Sequence, residues 1–337
     1  MSVRLRRDRE FEDGEIKSKL PTAEVPASRT VAVDGVALDP RVVDVRDSQD
    51  TDGDYTDQIL CGNSMPALAL LPKDSVACAI TSPPYWNLVD YGVSAQIGGE
   101  SYERYRGRLS VIWEQVERVL QPNGKFCLNV PLMPLRKAVS AEQFGKSHTR
   151  MILDLPGDLK SDILTNTSLR YYSLYIWEKQ TTEKMFGSYP YPPNLLERNY
   201  CEFILVFVKP GKPPKMPKEV KEAAKLAQDE WMDLTKQIWW IYPENVKRKD
   251  GHPSPFPEAL PNRLLRMYTF PAAGDFPGDI VLDPLCGWGT TCVAAKRQGR
   301  RYIGIDLNPA FCNEAVQRLE DVEVDMRTFS ASKPTKT

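Results

Sequence analysis

Short apolar segments alternate along this chain with segments of helical periodicity. Val76–Thr81 is apolar up to its final threonine, as in a strand buried on both faces, and Tyr102–Leu120 then repeats apolar residues at helical spacing. Asp279–Asp283 and Arg301–Asp306 are also strand-like, and Gly289–Gln298 between them is a predicted helix. This alternation predicts an α/β fold, in which helices cover both faces of a parallel sheet. Such sheets bind ligands beyond the carboxyl ends of their strands, so functional residues are expected there.

The other periodic segments fit the same architecture. Ser64 is the expected N-cap of a short helix that ends at Leu71, and residues 122–124 are expected to end the Tyr102–Leu120 helix. Residues 131–167 have weaker periodicity. The pair Trp239-Trp240 is expected in the core, and a wedge that intercalates between bases is the alternative. Further predicted elements are strands at Gln58–Gly62, Lys125–Val130, Leu169–Trp177 and Cys201–Val208, a polar helix within 209–230, and a helix at Leu260–Tyr268.

The N-terminal residues differ from this pattern. They mix charges and end in an acidic stretch, Asp44–Asp57, which has six Asp against one Arg. Blocks of like charge usually stay solvated. We therefore predict an arm or linker over residues 1–56, a main domain over 57–330, and a tail over 331–337.

Charge and cysteine usage exclude several classes of protein. The 44 Lys and Arg residues are balanced by 45 Asp and Glu, so the net charge is −1, whereas a protein held to nucleic acid by bulk charge would be basic. The seven Cys form no CxxC pair, which disfavours a zinc ribbon or a disulfide scaffold, and no metal site is expected. No run of 18 apolar residues predicts a membrane span, and the N-terminus lacks the apolar stretch of a signal peptide.

Residues 283–291, Asp-Pro-Leu-Cys-Gly-Trp-Gly-Thr-Thr, form a glycine turn between a predicted strand and a predicted helix. Gly287 and Gly289 would let a ligand approach the backbone closely, and the helix would present free N–H groups to it. Asp306 ends the next strand, where an acidic residue typically accepts hydrogen bonds from ribose hydroxyls. Asp283 is expected to face the ligand. The pattern predicts a nucleoside-type ligand; the alternative is a turn that only connects strand to helix.

Residues 82–85 form a Ser-Pro-Pro-Tyr turn directly after the apolar strand that ends at Thr81. Two successive prolines stiffen the turn and remove two N–H donors, so its carbonyls are expected to act as acceptors. With the Ser82 hydroxyl and the flat face of Tyr85, the turn would suit a planar base that carries an exocyclic NH₂, and Trp86 would support the stacked ring. A rigid turn with a core aromatic residue fits the residues equally well.

Together, the two turns resemble the motifs of the amino-group DNA methyltransferases that use S-adenosyl-L-methionine. Their catalytic turn has Asp, Asn or Ser, then Pro-Pro, then an aromatic residue, and their cofactor turn often reads Asp-Pro-Phe-Cys-Gly-Ser-Gly-Thr-Thr. The order found here, with the catalytic turn first, is similar to the β subgroup. Serine at position 82 is more typical of cytosine-N4 enzymes than of adenine-N6 enzymes.

The resemblance, which covers about residues 58–320, implies a fold and an activity. The fold would be a circularly permuted Rossmann-like methyltransferase sheet, mostly parallel with an antiparallel edge strand. The activity would be site-specific methyl transfer to the exocyclic N4 of a cytosine flipped out of DNA. Adenine-N6 methylation is the first alternative, and a catalytically silent DNA-binding module with the same fold is the second.

The resemblance also implies roles for particular residues. Asn63 stands where the family often has an aspartate near the adenine, and Trp288 replaces a usual small residue of the cofactor turn. The implied catalytic residues are Ser82, Pro83, Pro84 and Tyr85. The implied contacts to S-adenosyl-L-methionine are Asn63, Pro255, Phe256, Asp283, Pro284, Cys286, Gly287, Gly289, Thr290, Thr291 and Asp306.

The partners implied are double-stranded DNA and, as a candidate, a cognate restriction endonuclease. Two inserts, 132–167 and 209–250, carry basic residues that could read the target, and an ordinary solvated surface is the alternative for each. We expect the protein to be a monomer or homodimer that does not associate with a membrane. Its expected location is the cytoplasm of a prokaryote or phage-infected cell, in association with the nucleoid.

Overall fold

The computed structural model describes residues 36–86, 96–135, 141, 145, 151–179, 191–192, 200–243 and 256–324. Its strands are β1 (Val42–Asp44), β2 (Gln58–Cys61), β3 (Val76–Thr81), β4 (Leu120–Pro131), β5 (Met133–Leu135), β6 (Met151–Leu153), β7 (Arg170–Lys179), β8 (Cys201–Val208), β9 (Ile238–Ile241), β10 (Ile280–Asp283) and β11 (Arg301–Asp306). Its helices are α1 (Ser64–Ala69), α2 (Tyr102–Val119), α3 (Leu155–Asn166), α4 (Lys218–Ala223), α5 (Gln228–Leu234), α6 (Ala259–Tyr268), α7 (Thr290–Arg297) and α8 (Pro309–Glu320).

Nine strands form one mixed sheet in the order β1-β2-β11-β10-β3-β4-β8-β7-β9, and β5 pairs with β6 in a separate hairpin. The predicted mostly parallel sheet is confirmed. Among the described strands of the large sheet, β8 alone runs against its neighbours, β4 and β7. It lies inside the sheet and not at the edge, because β7 continues the sheet beyond it and β9 then pairs with β7 in parallel.

The sheet is buried on both faces by helices. Alternate residues of a strand point to opposite faces: Ala79 packs in the layer that contains α1, α2 and α3, whereas Cys78 and Ile80 pack in the layer that contains α6, α7 and α8. Burial on both faces explains why β3 is apolar almost throughout.

The strand order brings distant parts of the sequence together. β10 pairs in parallel with β3, with Val281 opposite Cys78 and Leu282 opposite Ala79. On its other side β10 pairs with β11, which pairs with β2. The carboxyl ends of β2, β3, β10 and β11 therefore lie at one edge of the sheet, and the Ser-Pro-Pro-Tyr turn and the glycine turn both leave from it.

Residues before Gln58 contribute more than the predicted linker. Val42–Asp44 adds a parallel edge strand beside β2, and Asp57 accepts hydrogen bonds from Nε of Arg301 (2.9 Å) and the backbone N–H of Tyr302 (3.1 Å). The sequence does not predict this three-residue strand, because the acidic residues that follow it indicate a solvated stretch. Residues 1–35 lie outside the described residues, so the arm remains a prediction there.

Other differences concern how helices begin. Asn63 caps α1 by accepting from the N–H of Met65 at 3.0 Å, so Ser64 is the first helical residue and not the cap. Helices α3 and α8 were not predicted, and residues 122–124 continue into β4 where the sequence suggested a turn. The buried stripe of α3 is narrow, which explains its weak periodicity.

Substitution of Gly304 tests the packing of the core around β11. A Cβ on this β11 residue would lie 2.7 Å from Cδ1 of Ile59 and 2.8 Å from Sγ of Cys292. We expect Gly304→Ala to lower the free energy of unfolding by about 1–3 kcal/mol, because the added methyl group would overpack the core. Gly107→Ala is the control: this exposed position in α2 has nothing within 4 Å of the new Cβ, so a gain of about 0.5–1 kcal/mol is expected. Urea denaturation of both variants checks the opposite signs; equal effects would contradict the packing described.

Candidate functional site

The glycine turn has the backbone shape that its glycines predict. Gly287 and Gly289 have φ angles of 51° and 71°, and Gly289 occupies the N-cap position of α7. A Cβ at Gly289 would lie 2.9 Å from Cβ of Ala315 in α8. Cys286 is buried and donates its backbone N–H to the Ile305 carbonyl at 2.8 Å, which ties the turn to β11.

The sequence predicted that Asp283 faces the ligand, but the structure buries it within the protein. Its side chain is buried at 1% exposure. Oδ2 accepts from the Thr291 hydroxyl at 2.7 Å, and Oδ1 accepts from the backbone N–H of Leu285 at 3.2 Å. Burial raises the pKa of Asp283 to about 6, although the Thr291 hydrogen bond favours the ionised form. Asp283 therefore shapes the turn from inside.

Asp306 is the half-buried carboxylate at this edge. It accepts from the backbone N–H groups of Gly287 (2.9 Å) and Asn308 (2.8 Å), and burial raises its pKa to about 6 against those two hydrogen bonds. Asn63 lies next to it along the edge, because the Gly62 N–H donates to the Asp306 carbonyl at 2.9 Å. Asn63 is exposed, so a ligand along the glycine turn would reach both side chains.

Two contacts of the glycine turn were missed by the sequence analysis. The Ser64 hydroxyl donates to the Pro284 carbonyl at 2.6 Å. Nη1 of Arg318 donates to the Trp288 carbonyl at 2.8 Å and contacts the Thr290 hydroxyl at 3.1 Å. Arg318 lies in α8, whose Asn-Pro start at residues 308–309 was a readable helix signal.

Hydrogen bonds to neighbouring residues and within the turn itself hold the Ser-Pro-Pro-Tyr turn in place. The Ser82 hydroxyl contacts the Tyr85 hydroxyl at 2.7 Å and donates to the Asn129 carbonyl at 3.1 Å. The Pro84 carbonyl accepts from the Tyr105 hydroxyl at 2.8 Å and from the backbone N–H of Trp86 at 3.0 Å. No described residue donates to the Pro83 carbonyl, whereas the Pro84 carbonyl is used by the fold; Ser82 is half-buried and Pro83 is buried.

Trp86 anchors the turn in the core. Its ring is 1% exposed, lies 5.1 Å from the Tyr102 ring, and donates Nε1–H to the Glu100 carbonyl at 2.8 Å. Its φ of 42° is unusual for a bulky residue. Trp86 thus supports Tyr85 only from within the protein.

A polar cluster behind Ser82 and Tyr85 was not predicted. Oε2 of Glu202 accepts from the Tyr85 hydroxyl at 2.9 Å and from Nδ2 of Asn129 at 2.5 Å, and Oε1 forms an ion pair with Lys179. Glu202 and Asn129 are 3% and 2% exposed. Glu202 lies at the start of β8, which runs antiparallel and so brings its first residues to the same edge of the sheet. In the sequence it reads as one polar position in an apolar strand.

The structure describes some of the remaining predicted residues and not others. Phe256 is half-buried against the layer of α6, α7 and α8, and Pro255 lies outside the described residues. Trp239 is in the core as predicted, stacked on Tyr175 with ring centroids 4.5 Å apart, but Trp240 is 73% exposed. The basic positions at 136–137, 146–150 and 247–249 lie outside the described residues, whereas the lysines of the second insert between 209 and 225 lie within them, some in the loop before α4 and some in α4.

The described residues contain no group of His, Cys, Asp and Glu side chains suited to a metal ion. Within the same residues, no helix has both the length and the apolar character needed to span a membrane.

Comparison with known proteins identifies related sequences and structures. Residues 76–317 match the family model described as DNA methylase, which covers N6 and N4 methylation. The type II methyltransferase M.Cfr9I of Citrobacter freundii is 28% identical over 80% of this chain and 90% of its own length. A Thermus thermophilus protein, assigned as a DNA modification methylase and solved with S-adenosyl-L-methionine, is 30% identical over 77% of this chain and 92% of its own, with a TM-score of 0.62. The PvuII cytosine-N4-specific DNA methyltransferase shares the fold at 16% identity, with a TM-score of 0.58 over 80% and 88% of the two chains.

The raised pKa of Asp283 predicts how stability depends on pH. Because burial favours the protonated form in the folded state, its contribution is fully present below the unfolded pKa near 4 and is lost as the pH rises towards 6. We expect Asp283→Asn to make the decline in unfolding free energy between pH 4 and 6 shallower by up to about 1.4 kcal/mol per pH unit. Urea denaturation at pH 4.5, 5.5 and 6.5 measures this slope. An unchanged slope would assign the pH dependence to Asp279 or Asp306, whose pKa values burial also raises to about 6.

Proposed function

The chain belongs to the DNA methylase family of N6 and N4 amino-methyltransferases, and from that premise we propose that it methylates the exocyclic N4 of a cytosine flipped out of double-stranded DNA. As a member of this family it is a DNA methyltransferase that uses S-adenosyl-L-methionine. The choice of cytosine, the flipping of the base and the roles of individual residues are the proposal.

The observation that carries the proposal is the pairing of β10 with β3. It places the glycine turn and the Ser-Pro-Pro-Tyr turn on neighbouring strand ends, although about two hundred residues separate them in the sequence. Methyl transfer needs donor and acceptor to be held in contact, and positioning of this kind can supply much of the rate enhancement. A ligand on one turn and a base on the other would meet at this edge.

The residues at the glycine turn suit S-adenosyl-L-methionine. The positive φ angles of Gly287 and Gly289 leave room for close approach to the backbone, and Asp306 offers a carboxylate to ribose hydroxyls. Asp283 and Arg318 would hold the turn in shape without touching the ligand. When bound, this cofactor supplies an electrophilic methyl group on a sulfonium.

The residues at the Ser-Pro-Pro-Tyr turn suit an amino group. The lone pair of an exocyclic nitrogen is delocalised into the ring, so the amine is a poor nucleophile. Acceptance of its N–H groups by the Ser82 hydroxyl and the Pro83 carbonyl would favour a more tetrahedral nitrogen, and Tyr85 would stack on the ring. Because the amino group is inaccessible inside a duplex, the base must leave the stack.

Serine at position 82 favours cytosine, since the family resemblance associates serine there with N4 methylation. The same two acceptors would also bind the amino group of adenine, so N6 methylation is the alternative product. Residues 57–330 form the proposed catalytic domain, with 132–167 and 209–250 as recognition inserts. The resemblance to type II methyltransferases supports a restriction endonuclease as the cognate partner.

Replacement of Ser82 tests the catalytic assignment. We expect Ser82→Ala to lower kcat for methyl transfer to DNA by about 10²–10³-fold, because one acceptor for the amino group is lost. Labelled transfer followed by nucleoside analysis measures the rate and identifies the product, with N4-methylcytosine expected. Ser75→Ala is the control, since this hydroxyl only caps the Pro72 carbonyl. Full activity of a folded Ser82→Ala protein would refute the assignment. If the unmodified protein produces N6-methyladenine, the target base is adenine and not cytosine. If it transfers methyl groups to no DNA, it is the catalytically silent DNA-binding module.

The raised pKa of Asp306 tests the cofactor assignment. Ribose hydroxyls donate to the ionised carboxylate, so binding of S-adenosyl-L-methionine should tighten as the pH rises through about 6. We expect the Kd to rise about tenfold per pH unit below 6. Calorimetric titrations at pH 5, 6 and 7 measure it, and Asp306→Asn should bind more weakly at pH 7 with little pH dependence. The same steep profile in that variant would assign the titration to Asp283.

A further inference from the structure

The acceptor at position 82 has a property that a carboxylate lacks. An ionised aspartate only accepts hydrogen bonds, whereas a serine hydroxyl both donates and accepts. The amino group of a base needs an acceptor. A serine turn therefore works only if the serine proton is directed away from the base.

The polar cluster behind the turn determines that direction. The Glu202 carboxylate is held in an ion pair with Lys179 and has only acceptor atoms. It accepts the single proton of the Tyr85 hydroxyl at 2.9 Å. With that proton committed, the Tyr85 oxygen can only accept across its 2.7 Å contact with Ser82.

The Ser82 proton then has two partners, both inside the protein. One is the Tyr85 oxygen, and the other is the Asn129 carbonyl at 3.1 Å. Nδ2 of Asn129 has two N–H groups: it donates one to Glu202 at 2.5 Å, and its contacts with the Tyr85 oxygen (3.3 Å) and Ser82 Oγ (3.4 Å) are longer, so the second N–H can occupy at most one of the two Ser82 lone pairs. A lone pair of Ser82 Oγ is therefore left for a ligand. Ser82 is half-buried, so its oxygen is reachable from outside while Glu202 and Asn129 are not.

We propose that Glu202 is a positioning residue that sets the hydrogen-bond direction along Glu202, Tyr85 and Ser82, so that Ser82 presents an acceptor to the amino group of the target base. This inference rests on the proposed amino methylation at Ser82. It holds for cytosine and adenine alike, because both present an amino group. Lys179 completes the arrangement by keeping its carboxylate partner paired at the start of β8.

Glu202→Gln tests the direction with little change of shape. The glutamine amide can donate to the Tyr85 oxygen, which would direct the phenol proton to Ser82 Oγ, where it would occupy the lone pair otherwise left for the amino group of the base. We expect kcat to fall about 10- to 100-fold, the factor of a hydrogen bond to a charged group. KM for DNA and Kd for S-adenosyl-L-methionine should change less than about twofold, since neither ligand touches Glu202.

Glu178→Gln is the matched control. Glu178 lies in β7 next to Lys179 and accepts from Nε1 of the exposed Trp240 at 2.9 Å. The same chemical change on the neighbouring strand should leave kcat unaltered. Thermal unfolding of both variants, compared with the unmodified protein, shows whether a loss of activity follows a loss of fold.

A double-mutant cycle separates direction from mere structural support. In Tyr85→Phe the link between Glu202 and Ser82 is cut, and the Ser82 proton goes to the Asn129 carbonyl, so a loss of less than about fivefold is expected. In the Tyr85→Phe protein, adding Glu202→Gln should lower kcat by less than about twofold. If Glu202 only supported the fold, Glu202→Gln would lower kcat by the same factor with Tyr85 and with Phe at position 85.

The outcomes distinguish this inference from the proposed function. If the unmodified protein methylates no amino group of DNA, the proposed function fails. If it methylates DNA and Glu202→Gln retains its kcat, or the cycle is additive, the inference alone is overturned. A large loss in Glu202→Gln with a non-additive cycle supports it.

Discussion

The parallel pairing of β10 with β3 is the contact on which the rest of this protein depends. A parallel pair aligns the carboxyl ends of its strands, so one register, Leu282 opposite Ala79, brings two sequence-distant turns to one edge. Burial of both strands by helices on both faces fixes that register, because a slip of one residue would exchange the side chains of the two layers. The site therefore inherits its geometry from the core and not from its loops.

Several polar groups at this edge divide into two sets according to the partners of their oxygens. Asp283 uses both carboxylate oxygens on the glycine turn, and the Pro84 carbonyl is used by Tyr105 and Trp86. Since a buried polar group without a partner is destabilising, these groups belong to the fold. Ser82 and Asp306 are the half-buried members, and they keep atoms that a ligand can reach.

The sequence predicted the features that have a local cause. The apolar run of β3 and the glycines of residues 283–291 each follow from their own residues. It did not predict what depends on partners distant in the chain: β1 needs β2 to form, and Arg318 acts on the glycine turn only through α8. In the sequence Glu202 only interrupts an apolar strand, because the antiparallel direction of β8 is not visible in its composition. The pair Trp239-Trp240 divides between core and surface because alternate strand residues face opposite ways.

The identity of residue 82 and the charge at residue 202 depend on one another. The Tyr85 hydroxyl links Ser82 Oγ to the Glu202 carboxylate through two hydrogen bonds. An aspartate at position 82 would put a second carboxylate close to the first, where low polarity makes like charges unfavourable. A neutral hydroxyl avoids that repulsion but has no fixed direction of its own, and the paired carboxylate supplies it. The serine form of this turn is thus chemically matched to an acid at the start of β8.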